Sequence, residues 1–235
     1  MNTFLHSGQL GDVLAFLPTI QSLGGGNLVI CSRPDCTTMK GAKYEALRPL
    51  LEAQPYIHSI RYEENPKDVT HDGTGFRKFH NNGEDIVVIQ ARNLKVPPPG
   101  YRKWIHVTPD PRTAGRIVVA RSPRYRNYNF PWRKIARRYG SKLSFVGIVQ
   151  EYEAFVRETG VKVEWLPTRD LLDVARAIEG ADFFFGNQSS PFWVAAGLNK
   201  PLVLEVCQQI PDCCLPYQGA SYPFYGHIDF DSLPI

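Results

Sequence analysis

The chain has no apolar run long enough to cross a membrane. Its longest runs are short, such as Phe183-Phe184-Phe185 and Ile86-Val87-Val88-Ile89, against the roughly 20 residues a span requires. The first residues, Met1-Asn2-Thr3-Phe4-Leu5-His6, contain no basic stretch leading into an apolar one, so no secretory leader is expected. C-x-x-C pairs are also missing. The five cysteines, Cys31, Cys36, Cys207, Cys213 and Cys214, are odd in number, and the last two are adjacent. That is poor geometry for a structural zinc, and the cysteines read as free thiols of a cytoplasmic protein. The histidines show no metal-ligand spacing. Neither a G-x-x-x-x-G-K-[ST] loop nor a G-x-G-x-x-G loop occurs, which weakens the NTPase and dinucleotide-enzyme readings.

What is present is an ordinary globular composition. The 235 residues are 43% hydrophobic and 21% charged, enough for one large domain or two small ones. The net charge of +4 is mild, but its distribution is uneven. Arg112, Arg116, Arg121, Arg124, Arg126, Arg133, Lys134, Arg137 and Arg138 fall in one short region. Such a cluster suits an anionic partner: a phosphate, a nucleic acid or an acidic glycan.

Strand and helix patterns alternate clearly in the second half. Strands are predicted at 116–120, 143–147, 161–165, 182–186 and 201–206. Helices are predicted at 131–139, 151–159, from Thr168 or Asp170 to Gly180, and from Ser189 or Ser190 to Leu198. Five strands separated by helices, with no hairpin signal, predict an α/β fold with a parallel sheet covered on both faces. Ligands of such sheets bind at the carboxyl ends of the strands, where helix N-termini point. The first half starts similarly, with a strand at 3–6, a loop through Ser7, Gly8 and Gly11, and a helix from Asp12 to about Ser22 that Pro18 should kink. Strands are expected at 28–31, 57–62 and 86–89, with a helix near 44–53. The polar, glycine-rich 63–85 stretch reads as a mobile loop, and the proline- and threonine-rich 107–115 stretch as a linker. Three parts follow: a first lobe at 1–112, a second at 113–206, and an irregular tail at 207–235 packing across both.

Two loops carry the chemistry of the second lobe. Gly186-Asn187-Gln188-Ser189-Ser190-Pro191 follows a strand and opens a helix, so free backbone N–H groups and serine hydroxyls face an incoming anion. Arg121-Ser122-Pro123-Arg124-Tyr125-Arg126-Asn127 leaves the first strand of the same lobe. A helix N-terminus opposed by guanidiniums makes a diphosphate clamp.

The run from Asp170 to Pro191, with Ala195-Ala196-Gly197-Leu198-Asn199-Lys200-Pro201, resembles the donor lobe of the ADP-heptose:lipopolysaccharide heptosyltransferases, glycosyltransferase family 9. Phe130-Pro131-Trp132 resembles that family's aromatic-proline segment. Gly11-Asp12-Val13-Leu14 with Leu17-Pro18 resembles its N-terminal motif. The similarities cover about half the chain. They imply a fold of GT-B type, two Rossmann-like lobes, with the N-terminal lobe shorter than is usual in the family.

The resemblance also implies roles. Asp12 falls at the catalytic base, with His6, Gly8 and Gly11 in the cleft loop around it. Arg124 or Arg126 meets the donor phosphates, and the two-loop clamp read from the residues themselves adds Arg121, Ser122, Ser189 and Ser190. Gly147, Glu151, Asn187 and Gln188 fall to the nucleotide and sugar, with Glu151 near the ribose. Gln188 stands where the family often has an aspartate, and Trp193 where a histidine is common. From sequence alone, Asp12 equally suits a helix N-cap. The implied reaction is an inverting transfer from a nucleotide-diphosphate sugar to a hydroxyl, needing neither metal nor cofactor.

Two acceptors fit: a glycan, or hydroxymethylated pyrimidine in DNA, with Tyr101, Trp104, Tyr125 and Tyr128 as aromatics able to stack on an extruded base. The alternative is a non-catalytic nucleotide-binding or adaptor protein that keeps the donor lobe. Asp229-Phe230-Asp231 has the D-x-D form of metal-dependent glycosyltransferases but reads as a solvated acidic tail.

Overall fold

A computed structural model describes residues 1–32, 39–79, 84–100, 102–211 and 221–235, the side chains of Ser221 and Tyr222 excepted. Cys36, Tyr101, Cys213 and Cys214 lie outside the described residues. The architecture is mixed α/β, with two parallel sheets.

The first lobe contains β1 (Thr3–His6), α1 (Leu10–Ser22), β2 (Gly26–Ile30), α2 (Ala42–Glu52), β3 (Ile57–Tyr62), β4 (His71–Asp72), a 3-10 helix at Thr74–Phe79 and α3 (Ile86–Asn93). Its sheet has the order β3-β2-β1-β4, with every pair parallel. The lobe is short: four strands, one of them two residues long. The second lobe contains β5 (Ile117–Ala120), α4 (Trp132–Tyr139), β6 (Leu143–Val146), α5 (Val149–Thr159), β7 (Glu164–Leu166), α6 (Leu171–Gly180), β8 (Phe183–Asn187), α7 (Ser190–Gly197), β9 (Leu202–Glu205) and β10 (Ser221–Phe224). Its sheet is parallel throughout, in the order β10-β9-β8-β5-β6-β7.

Period-two alternation sorts the strands of the second lobe between two apolar clusters. Val118 and Ala120 of β5 and Phe184 of β8 face inward, with α6 and α7. Ile117, Val119, Phe183 and Phe185 face outward, against Trp132 and Ile135 of α4 and Phe155 of α5. Both faces are buried, which is why these strands read as unbroken apolar runs. The inward cluster does not stop at the lobe. It continues through α1, α2 and α3 to Phe4, Leu28 and Ile30 of the first sheet. Helix α1 is therefore apolar nearly all round, buried from Val13 to Ile20, and it carries Pro18 inside it.

Four expectations are corrected. Residues 86–89 are helix, not strand. Their β-branched run favours extended backbone locally. Asp85, however, caps a helix by accepting from the Val87 N–H at 2.9 Å, and the shared core buries Ile86, Val87 and Ile89. The 63–85 stretch is not one loose loop: it holds β4 and a 3-10 helix with Phe76 fully buried. The 107–115 linker is tied down. The Asp110 N–H donates to the Arg176 carbonyl at 2.9 Å. Gly180 and Gly197 allow close approach, because a Cβ there would stand 2.2 Å from the Asp110 oxygen and 2.6 Å from Ile105. The tail is not wholly irregular either. Strand β10 pairs with β9, and Phe224, Phe230 and Leu233 join the outward cluster of the second lobe.

Candidate functional site

Both sheets reverse strand order once, and a parallel sheet opens a crevice where it does so. In the first sheet the reversal lies at β1, between β2 and β4. It separates the loop after β1, which leads into α1, from the 3-10 helix after β4. In the second sheet it lies between β5 and β8. It separates the 121–127 loop from the start of α7. Gly11 in the first turn of α1 packs on Trp193 in the first turn of α7, where a Cβ would stand 3.1 Å from Trp193 Cδ1. The carboxyl edges of the two sheets therefore meet, and both crevices open side by side.

On the first-lobe side, Asp12 is the third residue of α1. Its Oδ2 accepts from the Gln9 N–H at 2.8 Å, closing a capping box. The same oxygen accepts from Arg77 Nη2. Gln90 of α3 donates to the Asp12 carbonyl at 2.8 Å. His6 ends β1, and its Nδ1 accepts from the Gly8 N–H at 3.0 Å, which shapes the loop. Its ring lies between Phe16 and Phe76 at 5.0 and 5.3 Å. Burial, helped by the Arg77 charge, pushes the imidazole pKa down to about 3. His6 is therefore a neutral, enclosed prop. A cation in contact with the Asp12 carboxylate is Arg77, which sequence reading missed: nothing in the pattern of 63–85 indicates that the segment after β4 carries it to the side of Asp12.

On the second-lobe side, Asn187 joins the two loops. Its Oδ1 accepts from the Ser122 N–H at 3.0 Å, and its Nδ2 donates to Ser122 and Arg124 oxygens. The loops do meet on one rim, but Asn187 is fully buried in joining them. Arg121 also takes a structural post rather than facing a phosphate. Its guanidinium, 1% exposed, makes a two-pronged pair with Glu205 at 2.9 and 3.0 Å and a third contact to Glu158. Glu205 in turn accepts from the Asn127 N–H and from Trp132 Nε1, both at 2.8 Å. Gln188 bonds inward too, donating to the Ile210 carbonyl and accepting from the Cys207 N–H.

The groups left toward the rim are Arg124, Arg126, Ser122, Ser189 and Ser190. Arg124 is exposed and lies over the Tyr125 ring at 4.7 Å. Arg126 is half-buried, 3.7 Å from Glu158. Ser189 starts α7 without a side-chain cap. At the end of β6, Gly147 lies so close to Glu151 that a Cβ would stand 2.7 Å from its carboxylate. Burial pushes the Glu151 carboxyl up, opposed by a backbone bond and the charge of Arg126. The arginine run thus divides by partner. Arg112 pairs with Asp110, Arg116 with Glu164 and Arg138 with Asp231. Asp231 is accordingly engaged at the surface, in keeping with an acidic tail. Of the aromatics suggested for base stacking, Trp104 is buried in the core and Tyr128 is 91% exposed.

No protein-family model matches the chain, and no curated protein matches its sequence. Solved structures do match in fold. E. coli heptosyltransferase WaaC with ADP superposes with a TM-score of 0.63 at 14% identity, over 95% of this chain and 92% of that one. E. coli ADP-heptose lps heptosyltransferase II gives 0.63 at 13% identity, over 95% and 90%. A family 9 glycosyltransferase from Veillonella parvula gives 0.62 at 13% identity, over 95% and 85%. No described helix is long and apolar enough to cross a membrane. The two parallel sheets, the paired crevices and these superpositions give the chain the GT-B-type fold of the family 9 heptosyltransferases.

Proposed function

We propose that the chain is a glycosyltransferase that moves a sugar from a nucleotide-diphosphate donor to a hydroxyl acceptor, a glycan, with inversion and without a metal. The observation that carries this reading is the meeting of the two crevices at Gly11 and Trp193. It supports the reading because Asp12 lies at the start of α1 and Arg124, Arg126 and the start of α7 lie toward the rim of the second lobe. In this scheme Asp12 takes the proton of the acceptor hydroxyl as its oxygen attacks the anomeric carbon. The bond to the diphosphate breaks, and the negative charge gathering there is met by Arg124, Arg126 and the start of α7. Gly147 and Glu151, at the adjacent strand end, hold the nucleoside. The WaaC structures carry ADP and ADP-2-deoxy-2-fluoro heptose, so ADP-sugars are the first donors to try.

The test is a thermal-shift screen with ADP-, UDP-, GDP- and CMP-sugars, followed by mass spectrometry of glycan acceptors. One nucleotide should stabilise the fold by about 2.7 kcal/mol at 100 times Kd, roughly 5–10 °C for a chain of this size. Asp12→Asn should keep that shift and lose transfer. No shift with any nucleotide overturns the reading. A retained shift with no transfer to any acceptor favours a nucleotide-binding adaptor instead.

A further inference from the structure

We propose that Arg77 is a positioning residue for Asp12, holding its carboxylate ionised and fixed in the cleft through the contact of the guanidinium with Oδ2. The inference rests on Asp12 being the base, and it concerns a residue that the family resemblance does not reach. The fold itself brings the two together, because β1 and β4 are neighbours at the strand-order reversal and each is followed by the segment that carries one partner.

The placement of Arg77 is built from behind. Asp72, the last residue of β4, caps the 3-10 helix by accepting from the Thr74 N–H at 2.9 Å and the Thr74 hydroxyl at 2.6 Å. Phe76 is anchored in the core and stacked on His6. The Arg77 guanidinium lies on the Phe76 ring at 4.9 Å and reaches Asp12 from there. Its side chain is 40% exposed and that of Asp12 14%. The pair is thus open enough for a substrate hydroxyl to approach and closed enough for the charge to be felt.

Among the described residues, the other groups near the carboxylate differ from Arg77 in charge or in what they touch. His6 of β1 is neutral, Gln90 of α3 holds only the backbone, and Lys43 of α2 reaches Gln9 rather than Asp12. Asp72 is the nearby carboxylate, and its Oδ1 is engaged in the Thr74 cap. From the second lobe, α7 contributes Trp193, which is uncharged.

The experiment needs no substrate. The full chain is labelled with ¹³C at the aspartate carboxyls, Asp12→Asn identifies the Asp12 signal, and its titration is followed in the parent, Arg77→Gln and Arg77→Lys. Arg77→Gln should move the Asp12 midpoint up by about one pH unit, a tenfold gain in proton affinity. Arg77→Lys should restore most of the difference. Circular dichroism of each variant confirms that the fold persists. In a transfer assay with the sugar nucleotide that stabilises the chain, the acidic limb of the pH–rate profile should move by the same amount. An unchanged Asp12 midpoint in Arg77→Gln overturns the role of Arg77, whatever Asp12→Asn does to transfer. A shifted midpoint alongside an active Asp12→Asn variant overturns instead the reading on which it rests.

Discussion

Replacing Glu205 should damage the protein more than replacing any group on its rim. The side chain is fully buried and accepts four hydrogen bonds: two from Arg121, one from the Asn127 N–H and one from Trp132 Nε1. In Glu205→Ala, Arg121 keeps only Glu158, whose side chain is 43% exposed. Leaving a buried charge without its partner costs about 3–5 kcal/mol. Each stranded donor adds about 1–3 kcal/mol, though groups in one network do not add fully. A net loss of about 5 kcal/mol is expected, comparable to the whole stability of many domains. Denaturant melts followed by tryptophan fluorescence measure it. The double variant Arg121→Met/Glu205→Leu removes both charges, so it should lose at least about 2 kcal/mol less than the two single variants summed. Glu158→Ala should cost less than about 1 kcal/mol, because its charge is screened by solvent. A Glu205→Ala loss below about 1 kcal/mol, or a double variant as damaging as the sum, would refute the idea that this network holds the 121–127 loop.

Two further expectations follow from the first lobe. His6 titrates near 3 when folded and near 6.5 when unfolded, so acid protonates the unfolded chain first. Stability present above pH 6.5 should therefore fall by about 1.4 kcal/mol per pH unit on the way down to about 3. Denaturant melts across that range should show this extra slope in the parent and not in His6→Gln; equal slopes would count against a neutral, buried ring. Gly11→Val forces γ-methyls into Trp193, already 3.1 Å from a Cβ. It should destabilise by about 1–3 kcal/mol, visible as a lower Tm, and no change in Tm would mean that the two helix starts are not in close contact.

The second lobe was legible because β5, β6, β8 and β9 are buried on both faces and some of its helices carry clear punctuation, such as Asp170 accepting from the Asp173 N–H and Gly160 in the left-handed region. Residues 86–89 misread because local preference and tertiary packing disagree there, and packing prevails. The loop residues were correctly placed on one rim, but sequence does not say which way a side chain turns. Arg121 and Arg124 are three residues apart, one enclosed by carboxylates and the other facing water. Glu205, the buried partner of Arg121, is 84 residues away, a distance at which spacing carries no signal. Arg77 escaped for the same reason, since its neighbour Asp12 is 65 residues upstream.

The apolar cluster that runs from Phe4 through the helices to Phe184 limits how the protein can breathe. A two-lobed enzyme with separate cores can swing open on a hinge. Here, parting the lobes would wet a common interior. Baring even 200 Å² of it would cost roughly 5 kcal/mol at about 25 cal/mol per Å², which makes a widely open state rarer than one molecule in a thousand. The shared cluster therefore favours changes at the rim loops over a parting of the two lobes. In such a fold the spacing of the two cleft walls is set by core packing rather than by a hinge.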